Sequence, residues 1–146
     1  MTDRPQVADT PSYDSTQEAD RPVKPALWKG WRRRCPNCGE GAMFDGYLKV
    51  HDSCARCGED LSPQKADDGP AYLTMLVVGH LMAPILHVVA FEWRPAPWVI
   101  ATVFSIGCVA LSLYLLPRIK GGIVAYQWAK RMNGFDARAQ AAKKAA

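Results

Sequence analysis

Residues 69–91 read GPAYLTMLVVGHLMAPILHVVAF, 23 consecutive residues without an Asp, Glu, Lys or Arg. A helix of that length rises roughly 35 Å at about 1.5 Å per residue, enough to cross a hydrocarbon core about 30 Å thick. A second such stretch, PAPWVIATVFSIGCVALSLYLLP, fills residues 95–117 between Arg94 and Arg118. A soluble protein would need a large polar layer to cover two helices that are apolar all round, and the remaining chain is too small to supply it. Transmembrane helices are therefore predicted over 69–91 and 98–117. The whole-chain averages, 49% hydrophobic and 22% charged, conceal this division into a polar and an apolar half.

The link between the spans, residues 92–97 (EWRPAP), is short enough to force an antiparallel hairpin with a periplasmic turn, whose interface Trp93 and Trp98 mark. Of the 18 lysines and arginines, ten precede the first span, one (Arg94) lies in the turn and seven follow the second span. The positive-inside rule then puts both termini in the cytoplasm. Asp67, Asp68 and Pro70 suit the start of the first helix, where negative charge meets the positive end of the helix dipole.

Inside the spans, His80 and His87 project from one face of the first helix about two turns apart, with Pro84 between them. Depth matching across the hairpin brings Cys108 near His80. With Met82 these residues form a soft ligand set for copper or haem iron. The favoured reading is helix packing: Gly79 and Ala83 face the stripe Ala101, Ser105, Cys108 and Ser112, and a neutral histidine hydrogen-bonds across the seam.

Upstream of the hairpin, four of the five cysteines fall into two copies of Cys-x-x-Cys-Gly-Glu, at Cys35, Cys38, Cys54 and Cys57, with 15 residues between the pairs. Each pair supplies half a tetrahedron of thiolates, and the spacing is that of a zinc ribbon. Gly39 and Gly58 follow the second cysteine of each pair, where the backbone commonly needs positive φ. A reducing cytoplasmic location removes the disulfide reading. Zn2+ is the favoured ion and iron also suits four thiolates. His51 reads as a solvated loop residue.

Residues 1–26 are polar and rich in Asp, Pro, Ser and Thr, and are predicted to be a disordered cytoplasmic tail. The lead-in to the ribbon, which spans 27–66, interleaves Trp28 and Trp31 with Arg32, Arg33 and Arg34. Such a pattern suits nucleic acid or a membrane surface, and the spans decide for lipid. After Pro117, Gly121 and Gly122 are expected to break the helix before a short interfacial helix bearing Tyr126 and Trp128. The basic tail occupies 118–146 and ends in a frayed helix.

Taken in combination, RCPNCGEG, Phe44-x-Gly46-Tyr47-Leu48, CARCGED, DDGPA and Glu92-x-x-x-Ala96-Pro97-Trp98 make residues 30–132 resemble a bacterial family, domain-of-unknown-function family 983. The resemblance implies a cytoplasmic four-cysteine ribbon followed by a two-helix hairpin in the inner membrane. It also implies an association with respiratory oxidase biogenesis. The expected fold is thus an all-α transmembrane hairpin with a small N-terminal β-type zinc ribbon. No catalytic constellation is present, and a closed four-thiolate site leaves no position for substrate. The expected role is non-enzymatic docking of a membrane-protein partner or a second copy. The alternative is a redox or metal-handling component with iron at the cysteines, or haem or copper at the histidines.

Overall fold

A computed structural model describes residues 21–136 and Ala145. Residues 1–20 of the N-terminal tail and nearly all of the final basic segment lie outside the described residues. In chain order the elements are α1 (Val23–Trp31), the strands β1 (Phe44–Asp45) and β2 (Lys49–Val50), α2 (Gly69–Val88) and α3 (Pro97–Ala129). Strands β1 and β2 pair antiparallel in the register Phe44 to Val50 and Asp45 to Lys49.

Helix α2 starts with Pro70 in its first turn and runs on through a π-helical turn, Val89–Trp93. Helix α3 starts at Pro97, so only residues 94–96 separate the two helical arms, fewer than the turn expected from the sequence. Both arms are long and apolar enough to span a membrane, and none of the most apolar 18 residues of α3 is buried. Thr74 and Thr102 donate their hydroxyls to the carbonyls four residues earlier, at 2.7 and 2.8 Å, so neither polar group needs water. Trp93 and Trp98 are among the most exposed side chains, at the tip of the hairpin.

Two expectations about the ends of the chain are corrected. Residues 21–26 do not belong to a structureless tail, because α1 begins at Val23 and Ala26 is almost fully buried. Nor does the second long helix stop at Pro117 or break at Gly121 and Gly122: α3 is continuous over 33 residues, about 50 Å at the usual rise. Gly121 is needed for close approach instead. A Cβ there would overlap the Gly30 carbonyl of α1, and a Cβ on Gly30 would overlap the Gly121 carbonyl.

The core of the cysteine module is consequently assembled from three parts of the chain. It contains Ala26 of α1, Met43, Phe44, Leu61 and Ala66 of the ribbon, Val124, Trp128 and Ala129 of α3, and Phe135. Trp128, expected at a lipid interface, is 5% exposed and belongs to this core. The final turns of α3 therefore form the spine of the cysteine module, not a separate surface helix. Gln127 locks the end of the ribbon, accepting from the Lys65 N–H at 2.9 Å and donating to the Lys65 carbonyl at 2.7 Å.

Pro117 explains a contact between ribbon and α3. Proline has no N–H, so the carbonyl four residues earlier, Leu113, loses its helical donor. The Tyr47 hydroxyl, one residue past the β-turn glycine Gly46, donates to that carbonyl. Tyr47→Phe is expected to destabilise the docked ribbon by about 1 kcal/mol. In a Pro117→Ala background the restored N–H should make the same change nearly neutral. A double-mutant cycle from denaturant unfolding in micelles checks this, and an equal cost in both backgrounds refutes the assignment.

Candidate metal centre

Two knuckles of similar construction hold the cysteines. In the first, the Gly39 N–H bonds the Cys35 carbonyl at 2.9 Å and the Cys35 N–H bonds the Gly41 carbonyl at 2.9 Å. In the second, the Gly58 N–H bonds the Cys54 carbonyl at 2.8 Å and the Cys54 N–H bonds the Glu59 carbonyl at 2.9 Å. Gly39 and Gly58 take φ of 77° and 73°, the left-handed conformation that glycine adopts without steric cost. Gly41 serves proximity: a Cβ there would overlap the Cys54 sulfur.

The four sulfurs converge within 4.8 Å of one another. Cys35 and Cys57 are 3.7 Å apart, and Cys38 and Cys54 are 3.8 Å apart. A tetrahedron with metal–sulfur bonds of about 2.3 Å has edges of about 3.8 Å, so the residues fit a four-thiolate metal ion. Zinc and iron share this geometry. Cys35 and Cys54 are buried, Cys38 is half-buried and Cys57 is exposed, so one edge of the tetrahedron faces solvent.

The thiols differ in how readily they ionise. Backbone N–H groups, first that of Gly41 and also that of Glu40, stabilise the Cys38 thiolate and lower its pKa to about 6. Burial pushes the Cys35 thiol well above its ordinary value, and desolvation also raises Cys57. Lys29 of α1 lays its ammonium over the first knuckle, donating to the Asn37 carbonyl at 2.7 Å. Its positive charge offsets part of the negative charge that four thiolates gather.

The glutamates of the two Cys-Gly-Glu repeats, which the sequence displays but does not interpret, have different jobs. Glu40 forms an exposed pair with Arg56 at 3.2 Å. Glu59 is half-buried and accepts from the Trp128 indole N–H at 2.7 Å and from the Asn37 amide at 3.2 Å. Arg21 lies 3.5 Å from the same carboxylate and stacks over the Trp128 ring at 4.5 Å. One carboxylate thus joins the second knuckle to the first and both to α3. Sequence reasoning missed Glu59 and Arg21 because their partner Trp128 is about 70 and 107 residues away.

On the apolar helices, His80, His87 and Cys108 do not converge as a second group of three ligands. Among the described residues, the four cysteines are the only group of three or more His, Cys, Asp or Glu with converging ligand atoms. His80 is exposed and its Nδ1 lies 2.8 Å from the Leu76 carbonyl of its own helix. His87 packs against Phe91 with ring centroids 4.5 Å apart. The buried line of α2 runs through Thr74 and Val78, and a Cβ on Gly79 would meet nothing within 4 Å. Gly79 is therefore not the close-packing residue expected. Trp28, Trp31 and Arg32, Arg33 and Arg34 are exposed around the end of α1, with Arg32 stacked over Trp28 at 5.4 Å.

Two long apolar helices standing on a four-cysteine module define a class: the architecture fits a membrane protein with a small metal-binding domain. Within it, the chain belongs to the DUF983 family, described as a protein of unknown function, whose sequence pattern matches residues 44–128, more than half of its length. The match takes in Cys54 and Cys57, both apolar helices and Trp128, and begins after the first knuckle. No curated protein and no solved structure matches the chain.

Proposed function

We propose that this is a membrane-anchored zinc-ribbon protein without enzymatic activity. In this reading both termini are cytoplasmic, the hairpin sits in the bacterial inner membrane, and the ribbon docks a partner at its cytoplasmic face. The role is that of an assembly factor or accessory subunit of a membrane complex, for which the family resemblance points to a respiratory oxidase. The observation that carries the reading is the continuity of α3. One helix extends from the apolar hairpin into the core beneath the cysteines, and Glu59, Gln127 and Tyr47 fasten the ribbon to it. A domain fixed to its anchor at three points presents one face at one height above the bilayer, which suits docking. A closed thiolate tetrahedron supplies folding energy and no open position for chemistry.

Zinc analysis and cysteine labelling together test the proposal. Purified protein should contain one zinc per chain and no visible absorption band. In intact cells, a membrane-impermeant maleimide should label Ala96→Cys from outside and leave Ser53→Cys unlabelled. Iron, a Soret band or outside labelling of Ser53→Cys would overturn it, the first two in favour of a redox or metal-handling component. Affinity purification in mild detergent then identifies the docked complex.

A further inference from the structure

We infer that the cavity at the C-terminal end of α1 is a binding site for a phosphate group. It has a volume of about 380 Å3 and is lined by Arg32, Arg33, Arg34, Glu40, Phe44 and Gly46. Three arginines line it against one glutamate, and the Glu40 carboxylate is engaged by Arg56 at 3.2 Å. Arg34 uses one nitrogen on the Glu40 carbonyl at 3.0 Å, and Arg32 lies over the Trp28 ring. The Arg33 guanidinium has no hydrogen-bond or ion-pair partner among the described residues.

The backbone at Arg33 makes the cavity more than a cluster of surface charge. Helix α1 closes with a Schellman motif, in which the Arg34 N–H bonds the Lys29 carbonyl at 3.0 Å and the Arg33 N–H bonds the Gly30 carbonyl at 2.8 Å. Arg33 occupies the left-handed seat with φ of 60°, where glycine is the preferred residue. The Met43 N–H also holds the Arg33 carbonyl at 3.0 Å. The local fold would be satisfied better by glycine, so what arginine adds at this seat is its side chain. Guanidinium forks match phosphate oxygens with paired hydrogen bonds.

The cavity also lies where a phosphate is at hand. Gly46 precedes Tyr47, which holds the Leu113 carbonyl, and the Phe44 ring lies 3.4 Å from the Cβ position of Gly121. The cavity wall therefore rests on α3 between Leu113 and Gly121, where the apolar stretch ends at Arg118. A phospholipid headgroup at the cytoplasmic surface would reach it there, and this choice of source rests on the membrane reading above. A soluble phosphate compound would bring the same group, and that source does not depend on a membrane.

The test uses the full chain in neutral-detergent micelles, titrated with dioctanoyl phosphatidylglycerol, dioctanoylglycerol, inorganic phosphate and an RNA oligonucleotide, and read by tryptophan fluorescence. The phosphate-bearing lipid should bind at least about tenfold more tightly than dioctanoylglycerol. Arg33→Gly should lose about tenfold in affinity while melting a few degrees higher, because glycine relieves the left-handed seat. Arg32→Gln, which leaves that seat untouched, should weaken binding in the same way. Lipid bound more tightly than inorganic phosphate assigns the headgroup, and equal binding assigns a soluble phosphate; both support the site. Unchanged affinity in Arg33→Gly, equal binding of dioctanoylglycerol, or binding of RNA alone overturns it. Extraction of the chain from membranes by alkaline carbonate would instead defeat the membrane reading and leave the phosphate arm standing.

Discussion

Cys54→Ser is expected to release the metal and unfold the whole cysteine module, while the apolar hairpin stays helical. Cys54 is 2% exposed, its N–H closes the second knuckle, and its sulfur fills the space that Gly41 leaves open. The module around it is small, with two-residue strands and a core that borrows four of its residues from α1 and α3. Binding of a structural four-cysteine zinc is worth about 10–16 kcal/mol near neutral pH, more than the rest of such a domain supplies. Bound metal should fall to near zero. Trp128 emission should shift to the red as its ring leaves the core, with most of the helical circular dichroism retained. Cys57→Ser, at the exposed edge, should keep weaker metal binding. A Cys54→Ser protein with unshifted Trp128 emission would show that the core holds without its ion.

Acid should act on the same centre. Metal binding needs thiolates, so protons compete with it and affinity rises with pH. Near neutral pH the raised Cys35 and Cys57 thiols are protonated in the metal-free protein, and each gives up a proton when the ion binds. Cys38, with its pKa lowered to about 6, is already ionised there, and joins the competition only as pH falls through that value. Metal release on acidification should therefore steepen below about pH 6.

The parts of this architecture that a reader of the sequence can see are those whose pattern is local. Twenty-three uncharged residues in a row, or two cysteine knuckles with their glycines, carry their own explanation within a few turns of chain. What stays hidden is pairing across distance. Gly121 and Gly122 read as a helix break because glycine is a poor helix former. Only the arrival of α1 reveals that Gly121 is there to let two backbones touch. Trp128 reads as an interfacial tryptophan beside Lys130 and Arg131 until Glu59 and Arg21, far upstream, are seen to enclose it. Helix α1 itself is nine residues long with a proline inside, too short and too interrupted to hold alone, and is stabilised by burying Ala26 and Gly30 on α3. The same distance effect moved Gly79 out of the expected helix seam, since depth matching fixes height along a helix and not the side that faces its neighbour.

The two adjacent glycines of α3 should therefore respond in opposite directions to the same small change. At Gly122 an added Cβ meets nothing within 4 Å, so Gly122→Ala gains helix propensity and should stabilise by up to about 1 kcal/mol. At Gly121 the added methyl overlaps the Gly30 carbonyl, which belongs to backbone and cannot rotate away. Relief requires α1 to lift from α3. That movement would pull Ala26 out of the core, shift Lys29 from the first knuckle and displace the Arg21 stack on Trp128. Gly121→Ala is expected to destabilise by about 3 kcal/mol, the upper end for overpacking because helix propensity returns only a fraction. Gly121→Val, bulkier and β-branched, should detach α1 altogether and loosen metal retention with it. Denaturant unfolding of the metal-loaded protein in micelles, followed by Trp128 emission, measures all three. If alanine at 121 and at 122 shift the midpoint in the same direction by similar amounts, α1 does not cross α3 at Gly121, and the rigid seating of the ribbon on its anchor loses its basis.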